Sequence, residues 1–177
     1  MALCPVGDAP HPAIASANSP ARLSGSNPAR SLILQIASGE LGVREASGQN
    51  DGERVEQYLA YTGLDKGYAW CAAFVSWSYG QAGFKQPRNP WSPALFPTAR
   101  QYCRSDDCRL PETIRQIQPA DVFGIYGQRE RRIIHVGLVQ RLQGSYILTI
   151  EGNSEDRVQA KRRHLSTVYA LANWLSL

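Results

Sequence analysis

The apolar residues of this chain change their spacing once, near Pro111, and that single change limits the folds open to it. Before it they recur every three to four residues, the period of a buried helix face. After it they alternate, the period of a half-buried strand. Helices followed by a run of short-looped strands describe an α+β domain, with the central helix packed on one face of an antiparallel sheet. The strand candidates are DVFGIYG, RIIHVGLVQRL, SYILTIEGN and RVQAKRRHL, with YALANWLSL supplying a last strand or a terminal packing segment.

Three helical segments precede them. SLILQIASGELG puts Ser31 in N-cap position ahead of an apolar stripe and a glycine stop. In GQNDGERVEQYLAYTG, Val55, Tyr58 and Leu59 share a face, and the helix ends before Gly63. The third helix runs from Cys71 to Ala82 and stops at Gly83. Ala72, Val75, Ser76 and Tyr79 line one side of it and Ala73, Phe74 and Trp77 another, so it belongs in the interior. KQPRNPWSPALFPTARQYC, with four prolines, reads as a long surface connection holding at most one short helix near residues 93–102. Residues 1–30, rich in Pro, Ala, Ser and Asn with SP and NP breakers, read as a flexible lead-in to one domain over 31–177.

Composition excludes several classes. At 43% hydrophobic and 19% charged the chain is neither disordered nor fibrous, and its longest apolar run, AWCAAFVSW, is too short to cross a bilayer. A net charge of +4, a pI near 9.0 and the clusters RERR and KRRH point to an anionic partner, against the plain alternative of a solvated face. No zinc finger, helix-turn-helix or RNP-like strand supports nucleic acid as that partner. Cys103 and Cys108, in CRSDDC, are close enough for a small-loop disulfide, which requires an oxidising destination; two surface thiols in a reducing cytosol are the alternative. The opening MALCPVGDAPHPAIASANSP has no charged n-region and no sustained apolar h-region, so no secretory signal is visible.

The strands place chemistry near Cys71. His135 shares a strand face with Ile133, Gly137 and Val139, and Glu151 and Asn153 share one with Ile147 and Thr149. The intervening turn decides whether these faces coincide. A two-residue turn at Gln143–Gly144 puts Glu151 on the face away from His135. A three-residue loop at 142–144 sets His135 opposite Glu151, and one at 143–145 sets it opposite Asn153. Gly144 suits the left-handed position of such a loop, so an odd-length loop, or a bulge of the same effect, is expected. Gly137, lacking a side chain, is expected to leave room beside His135 for a helix end.

A thiol at a helix N-terminus beside an imidazolium can have its pKa lowered from about 8.5 into the range ~3.5–7.5. His135 would hold the thiolate and then protonate a leaving amine, Glu151 or Asn153 would fix the histidine tautomer, and the Cys71 N–H would serve an oxyanion. A lone buried cysteine is more often packing than nucleophile, so the conjunction carries the reading.

WCAAFVSW, then HVGLV, then TIEGNS, over roughly residues 31–155, resembles the CHAP group of peptidoglycan hydrolases, relatives of the NlpC/P60 enzymes on a papain-like fold. The upstream LGVREASGQNDGERVEQYL looks like the lead-in of one bacterial and phage branch. The resemblance implies Cys71 as nucleophile, His135 as base, Glu151 as its orienting residue and Asn153 as a nearby polar partner. It implies cleavage of an amide in the stem peptide of peptidoglycan, as amidase or endopeptidase, with no cofactor. The Asp-rich calcium loop of some members is not matched by GLDKGYAWC, and QNDGE reads as a solvated turn. Tyr68, Trp70 and Asn50 are the candidate substrate contacts, with Arg44 and Glu45 nearby. A phage-type lysin or a toxin injected into a neighbouring bacterium, monomeric, would fit; a toxin implies a cognate inhibitor protein in the producing cell. It would be made without a visible export signal and act at the wall of the target cell. The alternatives are a thiol hydrolase or transferase acting on another amide, and a non-catalytic module binding an anionic polymer.

Overall fold

In the computed structural model, which describes residues 27–175, the change of period near Pro111 is a change of layer. Helices α1 (Pro28–Gly39), α2 (Glu53–Tyr61) and α3 (Cys71–Gln81) come first. A proline-rich connection then passes through a 3-10 turn (Ser92–Leu95) to β1 (Gln101–Arg104), a second 3-10 turn and the one-turn helix α4 (Pro111–Ile114). Strands β2 (Val122–Gly127), β3 (Arg132–Gln143), β4 (Tyr146–Glu151) and β5 (Gln159–His164) follow as a meander, and β6 (Ala170–Ala172) returns between β1 and β2. The six strands form one antiparallel sheet in the order β1-β6-β2-β3-β4-β5, the α+β architecture expected.

The first helix starts earlier than its apolar stripe indicates. Asn27, not Ser31, is the N-cap: its Oδ1 accepts the Ala29 N–H at 3.0 Å, and Pro28 takes the first helical position, where its missing N–H costs nothing. The NP pair read as a breaker is thus a helix start. The expected lead-in over 1–30 lies outside the described residues up to 26, and its last residues belong to α1. Arg30 is buried and bonds Asp121 at 2.8 Å, tying α1 to the start of β2. No short helix near 93–102 forms beyond the 3-10 turn. Residues 101–104 instead pair with β6, a partner too distant in sequence for local pattern to reveal.

Every residue of α3 from Cys71 to Tyr79 is buried. Val136 and Leu138 of β3 pack below it, and Ile33, Ala37, Val55, Tyr58 and Leu59 enclose it from α1 and α2. The neighbouring strand positions Phe123, Val139, Ile147 and Leu171 point the other way, into a second cluster closed by the Cys103–Cys108 disulfide.

The β3–β4 hairpin settles the parity by a bulge. Its loop has two residues, since Gln143 pairs with Tyr146, and Gly144 is left-handed at φ 57°. Farther in, Arg141 pairs with Leu148 but Val139 with Thr149, so Gln140 is an extra residue. From there odd positions oppose odd ones, and the register continues to set Gly137 across from Glu151. A second irregularity, at Ile134, lets His135 pair with Ile125 while Ile133 pairs with Tyr126.

Candidate active site

Cys71 is the first residue of α3. The residue before it, Trp70, gives the helix no side-chain cap, so the first-turn amides keep their donors free of one. The thiol is unoxidised and lies at the bottom of the site, with the residue 3% exposed. Its Sγ is 3.4 Å from Ser92 Oγ, and the His135 side chain and the Val136 amide are near enough to act on its charge. His135 Nε2 bonds Glu151 Oε2 at 2.8 Å, which leaves Nδ1 for the sulfur. Glu151 is fully buried and saturated. Thr149 Oγ1 donates to Oε1 at 2.6 Å, and Arg163 donates through Nε to Oε1 at 2.8 Å and through Nη2 to Oε2 at 2.5 Å.

Two glycines make this packing possible. A Cβ on Gly137 would lie 2.9 Å from Glu151 Cγ and 2.7 Å from Phe123 Cε1, so the space beside His135 is filled by the carboxylate and not by a helix end. The helix approach expected there occurs at Gly152, where a Cβ would stand 2.6 Å from Phe74 Cβ and 2.8 Å from Trp70 Cζ3. Any side chain at Gly152 would push the end of β4 away from the head of α3.

Burial alone would raise the thiol pKa. The hydrogen bond and charge of His135, with the Ser92 hydroxyl and the Val136 amide, outweigh it and bring Cys71 below an ordinary thiol. Burial alone would lower His135, yet its bonds to Cys71 and Glu151 raise it to about 9. Burial alone would raise Glu151, but Arg163, His135 and Thr149 hold it at about 2. The three shifts agree: the site favours thiolate, imidazolium and carboxylate together over the neutral forms.

The other expected site residues divide. Asn153, left-handed at φ 53°, makes its hydrogen bonds away from His135: Oδ1 accepts the Trp70 N–H at 3.2 Å, and Nδ2 donates to Glu45 Oε1 at 3.0 Å and Asn50 Oδ1 at 3.1 Å. Glu45 also accepts the Trp70 indole N–H at 2.8 Å and the Asn50 amide at 2.8 Å. Asn50 is therefore a strut of the loop before α2 and not a groove contact. Trp70 is buried and stacked on Tyr58 at 5.6 Å, an anchor of the helix start and not a groove wall. Tyr68 does stand exposed, at 57%, on a groove of about 320 Å3 whose lining also includes Ser92.

Ser92 and Arg163 were not singled out by sequence. Arg163 had a signal, because it sits on an odd β5 position paired with Ile147, on the face of Thr149 and Glu151. The KRRH cluster is thus partly spent inside the protein: Lys161 bonds Glu155 at 2.8 Å, and Arg162 lies over the Tyr146 ring at 3.4 Å. Ser92 had none. It reaches the thiol because Asn89 exchanges hydrogen bonds with Ser76 of α3, which fastens the connection across the helix. In the QNDGE turn Asp51 accepts the Ser47 N–H and hydroxyl at 2.9 and 2.8 Å. Among the described residues, no three His, Cys, Asp or Glu side chains cluster so as to hold a metal ion, and no helix is long and apolar enough to cross a membrane.

A cysteine at the head of a buried helix, with histidine and carboxylate on adjacent antiparallel strands, defines a papain-like fold of the NlpC/P60 type. Solved structures agree. The chain is similar to an NLP/P60-family lipoprotein-like protein of Staphylococcus aureus, with 14% identity and a TM-score of 0.52, over 86% of this chain and 43% of that one. It is also similar to the Resuscitation Promoting Factor Interacting protein RipA, with 16% identity and TM-score 0.50, over 85% of this chain and 64% of that one. The peptidoglycan hydrolase RipB of Mycobacterium tuberculosis gives 16% identity and TM-score 0.50, over 85% and 66%. The chain thus spans about half to two-thirds of these proteins. No family model matches the sequence, and no curated protein matches it by sequence.

Proposed function

We propose that this protein is a thiol-dependent hydrolase that cleaves an amide bond in the stem peptide of bacterial peptidoglycan. The observation that carries the reading is the relay Arg163–Glu151–His135–Cys71, ending at the uncapped head of α3. The solved structures of the same fold support the substrate class, since RipB is a peptidoglycan hydrolase. The order of the motifs WCAAFVSW, HVGLV and TIEGNS supports the narrower CHAP-like branch.

The chemistry follows from the geometry. Cys71 Sγ attacks the scissile carbonyl carbon, and the negative charge that develops on its oxygen meets the first-turn amides of α3. His135 gives its Nδ1 proton to the nitrogen of the leaving amine, the C–N bond breaks, and a thioester to Cys71 remains. Water then loses a proton to His135 and attacks the thioester, which releases the acid and restores the thiolate. Glu151, fixed by Arg163 and Thr149, holds the ring orientation through Nε2 in both halves. Asn153 acts one step back, aligning the helix head through the Trp70 amide.

A lysin or an injected antibacterial toxin, the latter with a cognate inhibitor in its producer, is the biological role we attach to this activity. The test is digestion of purified peptidoglycan with wild type and Cys71→Ala, followed by mass spectrometry of the soluble products. Stem-derived amine and carboxyl termini are expected with wild type only; equal products from both would remove the assignment.

A further inference from the structure

The connection after α3 does more than carry Ser92 to the thiol. Among the described residues seven large apolar side chains stand exposed, and three of them, Tyr68, Trp91 and Ile134, line one groove together with Ser92. Tyr68 and Trp91 are each 57% exposed, although ring faces of this size are normally covered. Facing them is a single charged group, Arg132, from the start of β3.

Arg132 differs from the arginines that build the fold. Arg30, Arg54, Arg157 and Arg163 each close on a carboxylate within 2.9 Å. Arg132 has no carboxylate partner among the described residues, and its one recorded hydrogen bond is a long one, 3.5 Å, to the carbonyl of the next residue. An unpaired guanidinium lining the same groove as two exposed aromatic rings and Ser92, the neighbour of the thiol, matches a ligand carrying a carboxylate on an apolar body.

Resting on the hydrolase reading above, we propose that this groove is a charge-reading subsite. Arg132 takes a free carboxylate of the stem-peptide residue next to the scissile amide, and Tyr68 and Trp91 pack on the aliphatic part of that residue. The enzyme therefore discriminates between stems whose carboxyl is free and stems in which the same carboxyl is amidated, because a carboxamide gives Arg132 no charge to pair with.

The experiment compares two muropeptides differing only in that group, carboxylate or carboxamide, by kcat/KM. Wild type should prefer the acid by about 10- to 100-fold, the range of a charge-assisted hydrogen bond made or lost, and the preference should shrink as salt is raised. In Arg132→Gln, an exposed position whose replacement leaves the core intact, the ratio should fall to near one. Trp91→Ala should lower kcat/KM for both substrates alike and keep the ratio. Equal turnover of acid and amide by wild type, or a preference unmoved in Arg132→Gln, overturns the subsite while leaving the hydrolase standing. Turnover of neither muropeptide, nor of whole peptidoglycan, overturns both.

Discussion

The protein builds the same clamp twice and uses it differently. Glu40, at the end of α1, is gripped by Arg54 through Nε at 2.7 Å and Nη2 at 2.6 Å, with the Tyr58 hydroxyl at 2.5 Å as third partner. Glu151, at the end of β4, is gripped by Arg163 in the same forked manner, with His135 as the outward partner. Both carboxylates are held below their ordinary pKa by their arginines against the cost of burial. The difference lies in the group beyond. Burial and Glu40 push the Tyr58 hydroxyl far above neutral pH, so its proton stays in place and the clamp only fastens α1 to α2. His135, raised to about 9, holds a proton that the proposed mechanism delivers to a substrate. An arginine-clamped carboxylate is a rigid anchor; reactivity depends on whether a titratable group with a route to substrate is attached to it.

Changing the partner of each clamp separates the two most sharply. His135→Ala should lower kcat by at least ~10^3-fold, the scale of removing a base from such a relay, while the melting temperature moves only a few degrees. Tyr58→Phe should leave kcat intact and cost about 1–3 kcal/mol of stability, because Glu40 loses a buried donor. Steady-state kinetics and thermal melts on both variants check the contrast.

Changing the arginine should also split the two. Arg163→Met leaves Glu151, fully buried, without its main counter-charge, and should cost about 3–5 kcal/mol with a fall in kcat. Arg54, whose side chain is 41% exposed, sits where water can replace it, so Arg54→Met should cost about 1 kcal/mol and leave kcat unchanged. Urea unfolding with a parallel activity assay reads both.

The pH profile follows from the signs. The thiolate–imidazolium pair exists between the lowered pKa of Cys71 and the raised one of His135, so activity should rise through the first and fall near pH 9. Glu151 titrates at 4.5 when free and about 2 when folded, so the folded state binds fewer protons in between. Its stabilising contribution is complete above pH 4.5 and is lost as the pH drops toward 2. His135 has the opposite sign: its contribution is complete below 6.5 and fades as the pH rises through about 9. Melting curves across pH would check both limbs. The smallest effect is expected from Ser92→Ala, which removes one hydroxyl from the thiolate. Alkylation of Cys71 by iodoacetamide should slow about 3- to 10-fold at pH 6 and recover at pH 9, as expected for a modest rise in thiol pKa.

Much of this was legible from spacing. The change of period separated the layers, the all-round apolarity of Cys71–Tyr79 placed α3 in the interior, and odd-to-odd pairing put His135 on the face of Glu151 and Asn153, leaving the choice between them to the structure. What spacing could not supply was anything fixed by contacts distant in sequence. The pairing of β1 with β6 joins residues about seventy positions apart, and Ser92 arrives by way of Asn89 and Ser76. Asn27 was misread because an NP pair looks the same whether it interrupts a chain or starts a helix. Trp70 and Tyr68 are two positions apart with opposite fates. The Glu45 carboxylate that accepts the indole N–H and the Tyr58 ring stacked on it hold Trp70 inward, and neither is visible in local spacing.

The bulge at Gln140 makes strand length as informative as residue identity. Between the irregularities at Ile134 and Gln140, β3 runs half a pleat out of phase with the hairpin loop that leads into β4. Removing the one extra residue would alter no side chain of the site, yet it would rotate the alternation so that His135 and Glu151 left opposite faces of the sheet. The His135–Glu151 contact is therefore encoded partly as a count of residues, and a single-residue deletion in a half-exposed stretch of strand would part the two side chains as surely as replacing either of them.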